Sequence, residues 1–333
     1  MTLSSLIKKV PIPTAGLALG LAALGNLLQP YSALARGICG VLSLLLVVML
    51  VAKIALFPSM IRDDLHNSIL ASVSATLFMS VMQLSGYLAP FAMAVAFALW
   101  CAAVAGHLIL MIWFTVRYIF RFKLHEVFPT YFICYVGIIV ASVTAPTFSM
   151  EWLGNLLFWF GFACYMVLLV LVTVRYAKHE IPEGARPLFC IYAAPMSLSL
   201  AGYLASNPDP NPTFVGVLLI AAQILLLVVL TQLPKLAALN FYPSFAAMTF
   251  PFVISAFSLG RAVAFLDGAG IAIAAIPMVE ALIALETIFA AVMVTYVACH
   301  YARFFFREIE APQAADVVQE QAMNARFAEN FED

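Results

Sequence analysis

The sequence predicts an all-α integral membrane protein of ten transmembrane helices, paired as five hairpins. Three observations lead there. Of 333 residues, 65% are hydrophobic and only 10% are charged, against roughly 25% charged and about half apolar in soluble domains. Ten apolar runs approach the roughly 20 residues that a helix needs to cross a bilayer. Lysine and arginine fall at alternate connections between those runs, as the positive-inside rule requires. The net charge of −1 leaves no basic footprint for nucleic acid.

The chain divides into an N-terminal arm (1–10), a ten-helix domain (11–305) and an acidic tail (306–333). Lys8 and Lys9 precede a first run that opens with prolines and has no cleavage site after it, so that run is expected to stay as span 1. The spans are predicted at 11–29, 35–57, 67–86, 88–118, 128–149, 151–175, 187–206, 213–233, 244–266 and 274–301. Of the 16 lysines and arginines, only Arg36 and Arg261 fall on the side opposite the other fourteen. That bias expects both termini in the cytoplasm of a multi-pass protein of the inner or plasma membrane. The outer connections are short, including a turn at Gly86–Leu88. The tail mixes Glu, Asp, Gln and Ala and is expected to be a solvated helix or disordered.

Odd and even spans differ. Span 1 opens Pro11-Ile12-Pro13-Thr14-Ala15-Gly16 and carries Gly20; span 5 opens Phe128-Pro129-Thr130. Span 7 has Ala194-Pro195-Met196-Ser197 at its middle, and span 9 has Thr249-Phe250-Pro251-Phe252. Span 3 has no proline but carries a row of hydroxyls that includes Ser72. Even spans read as Leu/Val-rich runs, such as 224–230. Small residues let helices approach closely, and proline frees carbonyls that need partners. The odd spans are therefore expected to form an inner ring around a path, lined by Thr14, Ser72, Thr130, Ser197 and Thr249, with the even spans outside. The plainer alternative is that small residues merely pack a bundle core.

The six cysteines form no C-x-x-C pair and lie in or beside apolar runs, so they read as packing residues, without a disulfide framework or metal site. No cofactor is expected. There is no His-x-x-x-His cluster, Gly-x-Ser-x-Gly, Walker loop or paired carboxylate site, which argues against an enzyme. Four ionisable groups at membrane depth are functional candidates. Arg261 and Glu280, near the outer ends of spans 9 and 10, read either as an ion pair or, for Arg261, as an anion-attracting charge. Glu286 either hydrogen-bonds within the bundle or relays a proton; His107 in span 4 is a packing residue or a relay.

The run Pro11 to Leu24, with Ala194-Pro195 and Thr249-Phe250-Pro251, resembles the tellurite-resistance/dicarboxylate transporter family. That family includes tellurite-resistance proteins, the slow anion channels of plant guard cells, and yeast malate and sulfite carriers. The likeness covers roughly Val10 to Phe305. It implies five hairpins in quasi-fivefold arrangement, a homotrimer embedded in lipid, and a pore for small inorganic or carboxylate anions through each subunit. It further implies pore kinks at Pro13, Pro129, Pro195 and Pro251, close approach to the pore axis at Gly16 and Gly20, and a gate at Phe250. A register shift would move the gate to Phe252, about 200° away on a helix. Span 3 departs from the family in lacking its proline. The function implied is an anion channel; the alternative is a proton-coupled C4-dicarboxylate carrier or a sulfite exporter.

Overall fold

The computed structural model describes residues 3–272 and 276–310. The acidic tail beyond Glu310 lies outside the described residues. Every regular element among the described residues is helical, as the fold class required. Eight segments are long and apolar enough to cross a membrane; Thr14–Leu28 and Ile139–Phe148 are shorter apolar helices. The chain is a multi-pass membrane protein.

The even segments are unbroken. Span 2 is Ala33–Leu56, span 4 is Met93–Phe114 with a wider turn at Thr115–Ile119, and span 6 is Glu151–Lys178. Span 8 is Pro212–Ala237 and span 10 is Pro277–Glu310. Capping side chains fix two of their starts. Ser32 accepts from the Ala35 amide at 3.1 Å, and Asn211 accepts from the Phe214 amide at 3.1 Å, each satisfying an orphan N–H of the first turn.

The odd segments are interrupted or start late. Span 1 becomes α-helical only at Thr14 and ends at Leu28, because Pro11 and Pro13 hold its lead-in as a turn. Span 5 runs as Thr130–Tyr135, Ile139–Thr144 and a tight turn at Ala145–Phe148, broken around Gly137. Span 7 passes from a 3₁₀ stretch, Glu183–Ala193, into an α-helix at Ala194–Ser206, and span 9 does the same from Pro243–Met248 into Phe250–Gly268. Pro195 and Pro251 therefore sit in the first turns of α-helices. A missing N–H costs least there, since it would be unpaired anyway. Each marks the point where one continuous helical segment passes from 3₁₀ to α geometry. Span 3 breaks without proline, into Ser68–Val73 and Ala75–Leu88. The Ser74 hydroxyl donates to the Ala71 carbonyl at 2.6 Å and Thr76 to the Val73 carbonyl at 2.6 Å. Such back-bonding competes with the helical ladder and bends it.

Several boundaries differ from expectation, among them span 10, which runs to Glu310 and not to 301, so that 306–310 continue its helix. Span 3 continues through Leu88, so the turn to span 4 is 89–92 and span 4 begins at Met93, not at 88. The arm holds a helix, Leu3–Lys8.

Span 1 packs on span 3, 3 on 5, 5 on 7, 7 on 9, and 9 back on 1. Each even segment packs on its own odd partner and on the next odd segment round, span 10 lying on 9 and 1. No extensive contact joins two even segments among the described residues. Burial follows the same division: within an apolar 18-residue stretch of each, 83% of span 7, 72% of span 9 and 61% of span 3 are buried, against 28–33% of the even segments. Leu/Val-rich faces such as Leu44, Leu45, Val167 and Leu227 are exposed on the outer layer. Two cysteines, Cys101 and Cys299, join that exposed face, whereas Cys39, Cys134 and Cys190 are buried and Cys164 is half-buried.

Candidate functional site

Spans 1 and 9 approach each other closely in the inner ring. A Cβ on Gly20 would meet the Thr249 Cβ and Oγ1 at 2.5 Å, and one on Gly16 would meet the Ala246 Cβ at 3.2 Å. The two glycines admit the break of span 9 against span 1. There Thr249, with φ −111° and ψ −84°, donates to the Ala246 carbonyl at 2.6 Å and lies 3.2 Å from the Gly16 carbonyl. Its hydroxyl is fully buried and joins the two backbones at the break.

Phe250 is the first residue of the span 9 α-helix and is 6% exposed. Phe252 is 1% exposed, and its ring lies edge-on to Phe289 of span 10 with centroids 5.0 Å apart. Phe252 thus points into the outer layer. Phe250, about 200° round the helix, points away from span 10. Phe257 and Arg261 fall within about 20° of Phe250 on either side, at 100° per residue, and Arg261 lies about 16 Å further along. Exposure rises along this face, from buried Phe250 through half-buried Phe257 to exposed Arg261, while the neighbours Ile254 and Ser258 stay buried.

The other hydroxyls are mostly engaged with backbone. Ser72 donates to the Ser68 carbonyl at 2.7 Å, and Ser197 lies 3.0 Å from both the Ala193 carbonyl and the Ser255 hydroxyl of span 9. The Thr14 hydroxyl lies beside the Tyr301 phenol, and Thr130 opens span 5; both are buried and neither completes a hydrogen bond of good geometry. Pro13 and Pro129 directly precede the first turns of spans 1 and 5.

The four intramembrane ionisable groups separate. Arg261 and Glu280 are both exposed, and no ion pair joins them among the described residues. The ion-pair reading finds no such contact among the described residues, where the two stand as separate exposed charges. His107 is fully buried, with Nε2 2.9 Å from the Cys134 carbonyl. A carbonyl only accepts, so Nε2 carries the proton and Nδ1 is left as an unmatched acceptor. Glu286 lies beside Gln223 of span 8, away from the inner ring, the two amide and carboxyl groups facing each other without a hydrogen bond of good geometry.

Two features were missed in sequence. Arg175 reads there as one more cation in a connection, yet it is only 3% exposed. Its guanidinium sits 4.1 Å over the Phe128 ring and donates twice to the His125 carbonyl at 3.3 Å, tying span 6 to the lead-in of span 5. At the opposite end Arg36 lies over Tyr87 and donates to Asn26, which in turn donates to Gln83, so spans 1, 2 and 3 are laced together. Nothing in the spacing of Arg175 marks it; only the crossing of spans 5 and 6 does. Among the described residues no group of His, Cys, Asp and Glu is arranged to hold a metal ion.

The chain matches the voltage-dependent anion channel family over residues 9–303, which is most of its length. It belongs to that family. No curated protein matches the chain. The resemblance drawn from Pro11 to Leu24, Ala194-Pro195 and Thr249-Phe250-Pro251 is thereby borne out, and this family member is an anion channel or transporter by descent.

Proposed function

We propose that the protein is an anion channel whose path runs down the axis enclosed by spans 1, 3, 5, 7 and 9, with Phe250 as its gate. In this reading all ten segments cross the membrane as five hairpins, residues 11–305 form the transport domain, and both termini face the cytoplasm of a cell or plasma membrane. The observation that carries the gate is the placement of the two phenylalanines. Phe252 is spent on Phe289 in the outer layer, and Phe250 points the other way, at the break of span 9.

The chemistry follows from a path with little fixed charge. Phe250 narrows it with an apolar ring, and a narrow apolar constriction blocks ions by dewetting. Arg261, on the same helical face and exposed, supplies a positive field at the outer approach, and no ion pair engages it among the described residues. Hydroxyls that back-bond to the helix breaks leave only weak dipoles to the ion. A weakly binding path releases anions quickly, and conduction requires that. Assembly as a homotrimer, implied by the family resemblance, places one path in each subunit.

A proton-coupled carrier needs a titrating group on the path. The two candidates lie off it: Glu286 faces a cleft between spans 8 and 10, and His107 donates to Cys134 between spans 4 and 5. Flux in reconstituted vesicles with chloride, nitrate, sulfite and malate at two pH values tests the choice. A channel gives reversal potentials set by the anion gradient alone; potentials that move with the pH gradient would establish the carrier.

A further inference from the structure

At the outer ends of spans 1, 2 and 3 three side chains form a directed chain of hydrogen bonds. Arg36 Nε donates to Asn26 Oδ1 at 3.3 Å, and Asn26 Nδ2 donates to Gln83 Oε1 at 2.8 Å. A guanidinium only donates, so Asn26 must offer it the amide oxygen and turn its nitrogen to Gln83. Gln83 must then meet that nitrogen with its own oxygen. Arg36 thus orients both amides, and both amide oxygens are occupied. What remains at the end of the chain is Gln83 Nε2, with its N–H donors. That nitrogen meets no acceptor among the described residues, and it is not among the unmatched side-chain nitrogens sealed from solvent. Arg36 is half-buried over the Tyr87 ring, 4.4 Å from its centroid, and its remaining acceptor is the neutral Gly86 carbonyl at 3.5 Å. No carboxylate pairs with it among the described residues.

Gln83 faces the axis of the inner ring. On span 3, Ser80 reaches span 1 and donates to the Ala15 carbonyl at 3.1 Å, and Met79 lies against Gly137 of span 5. At 100° per residue Gln83 falls between the two, about 60° from Ser80 and about 40° from Met79. Phe78, which packs on Gly106 and His107 of span 4, is about 140° away. Gln83 therefore lies between the inner-ring neighbours of span 3, on the side away from the outer layer. Asn26 stands about 9 Å along span 1 from Gly20, which meets Thr249 beside Phe250. In the orientation proposed above, the chain is outward of the constriction.

A site that offers donors and no acceptor attracts anions and repels cations. Hydrogen bonds in series polarise one another in a medium of low dielectric, so the charge of Arg36 strengthens the Gln83 donors without placing a bare cation in the path. A neutral amide holds an anion loosely enough to release it. The cost of stripping water from an ion grows with the square of its charge, and one relayed charge does not offset it for a divalent anion. We propose that Arg36, Asn26 and Gln83 form the selectivity station of the outer half of the path, where Gln83 Nε2 binds a small monovalent anion and Asn26 and Arg36 act through it as positioning residues. This station rests on the channel reading above.

The test uses the full chain in planar bilayers, in the Phe250→Ala background. Reversal potentials give the permeability of nitrate, chloride and sulfate relative to potassium; a variant that merely folds poorly loses current without moving them. Gln83→Met keeps the volume and removes the donors, and Gln83→Glu keeps the shape and puts an acceptor in the nitrogen's place. With a hydrogen bond to the ion lost, the nitrate-to-potassium ratio should fall about tenfold in Gln83→Met, and further in Gln83→Glu. Arg36→Gln should lower it in the same sense. The Arg36→Gln/Gln83→Met double variant should lose no more than Gln83→Met alone, because the cation acts through the amide. Unchanged ratios in both Gln83 variants, with Phe250→Ala still conducting, would overturn the station and leave the channel reading intact. Fully additive losses would show Arg36 acting as an independent charge and would overturn the relay. Sulfate permeating as readily as nitrate would overturn the monovalent assignment. No anion current from the wild type or from Phe250→Ala would overturn the channel reading itself, and the station with it.

Discussion

Replacing Gly20 with alanine probes the contact that holds span 9 against span 1. The added Cβ would lie 2.5 Å from the Thr249 Cβ. Carbon atoms pack at about 3.5–4.0 Å, so the two must separate by about 1 to 1.5 Å. The Thr249 Cβ is fixed to its own backbone, so no rotamer change relieves the clash and the first turn of span 9 has to move. Overpacking of this kind costs about 1–3 kcal/mol. Losing the Thr249 contact with the Gly16 carbonyl adds about 0.5–1.5 kcal/mol, for a total of about 1.5–4.5 kcal/mol. Unfolding of purified protein in mixed micelles measures it. Thr249→Gly removes the obstructing carbon, so the Gly20→Ala/Thr249→Gly double variant should regain part of the loss, with a coupling of about 1 kcal/mol or more. A Gly20→Ala variant that loses less than about 0.5 kcal/mol, or a strictly additive cycle, would refute the close-approach argument.

Two further outcomes follow from single contacts. Arg261→Gln should lower anion conductance at low salt, with the difference fading as the Debye length falls from about 30 Å at 0.01 M to about 3 Å at 1 M; a deficit that is the same at both salt concentrations would contradict a vestibule charge. Trp100 donates to the Thr144 hydroxyl at 2.8 Å in a buried site, so Thr144→Val, which orphans the indole N–H, should cost more (about 1–3 kcal/mol) than Trp100→Phe loses in hydrogen bonding (about 0.5–1.5 kcal/mol). The comparison is made by the same unfolding measurement, with Trp100→Tyr as a size control; the reverse order would show that the bond contributes little.

Much of the architecture was legible because bilayer physics is strict. Unbroken Leu/Val runs such as 224–230 can only be helices with a lipid-compatible face, and they form the outer layer. Prolines at 13, 129, 195 and 251 marked where the odd segments change, though not how: each sits just before or within the first turn of an α-helix. Two of those helices follow a 3₁₀ stretch. The break at Ser74 was not legible, since a hydroxyl bonds forward, backward or not at all depending on packing that sequence does not show. The shared face of Phe250, Phe257 and Arg261 needed only arithmetic at 100° per residue and was available from the start. The choice between Phe250 and Phe252 was not available. It depends on Phe289 arriving from span 10, and no local pattern announces that contact. The supposed Arg261–Glu280 pair failed for a related reason, because adjacent spans say nothing of where their exposed ends point.

Anion currents through single-residue variants in planar bilayers test the central claim most directly. Phe250→Ala should raise conductance severalfold by removing the apolar constriction, whereas Phe252→Ala should lose the ring contact with Phe289 and lower stability without opening the path. Unchanged current in Phe250→Ala, or opening produced by Phe252→Ala alone, would contradict it.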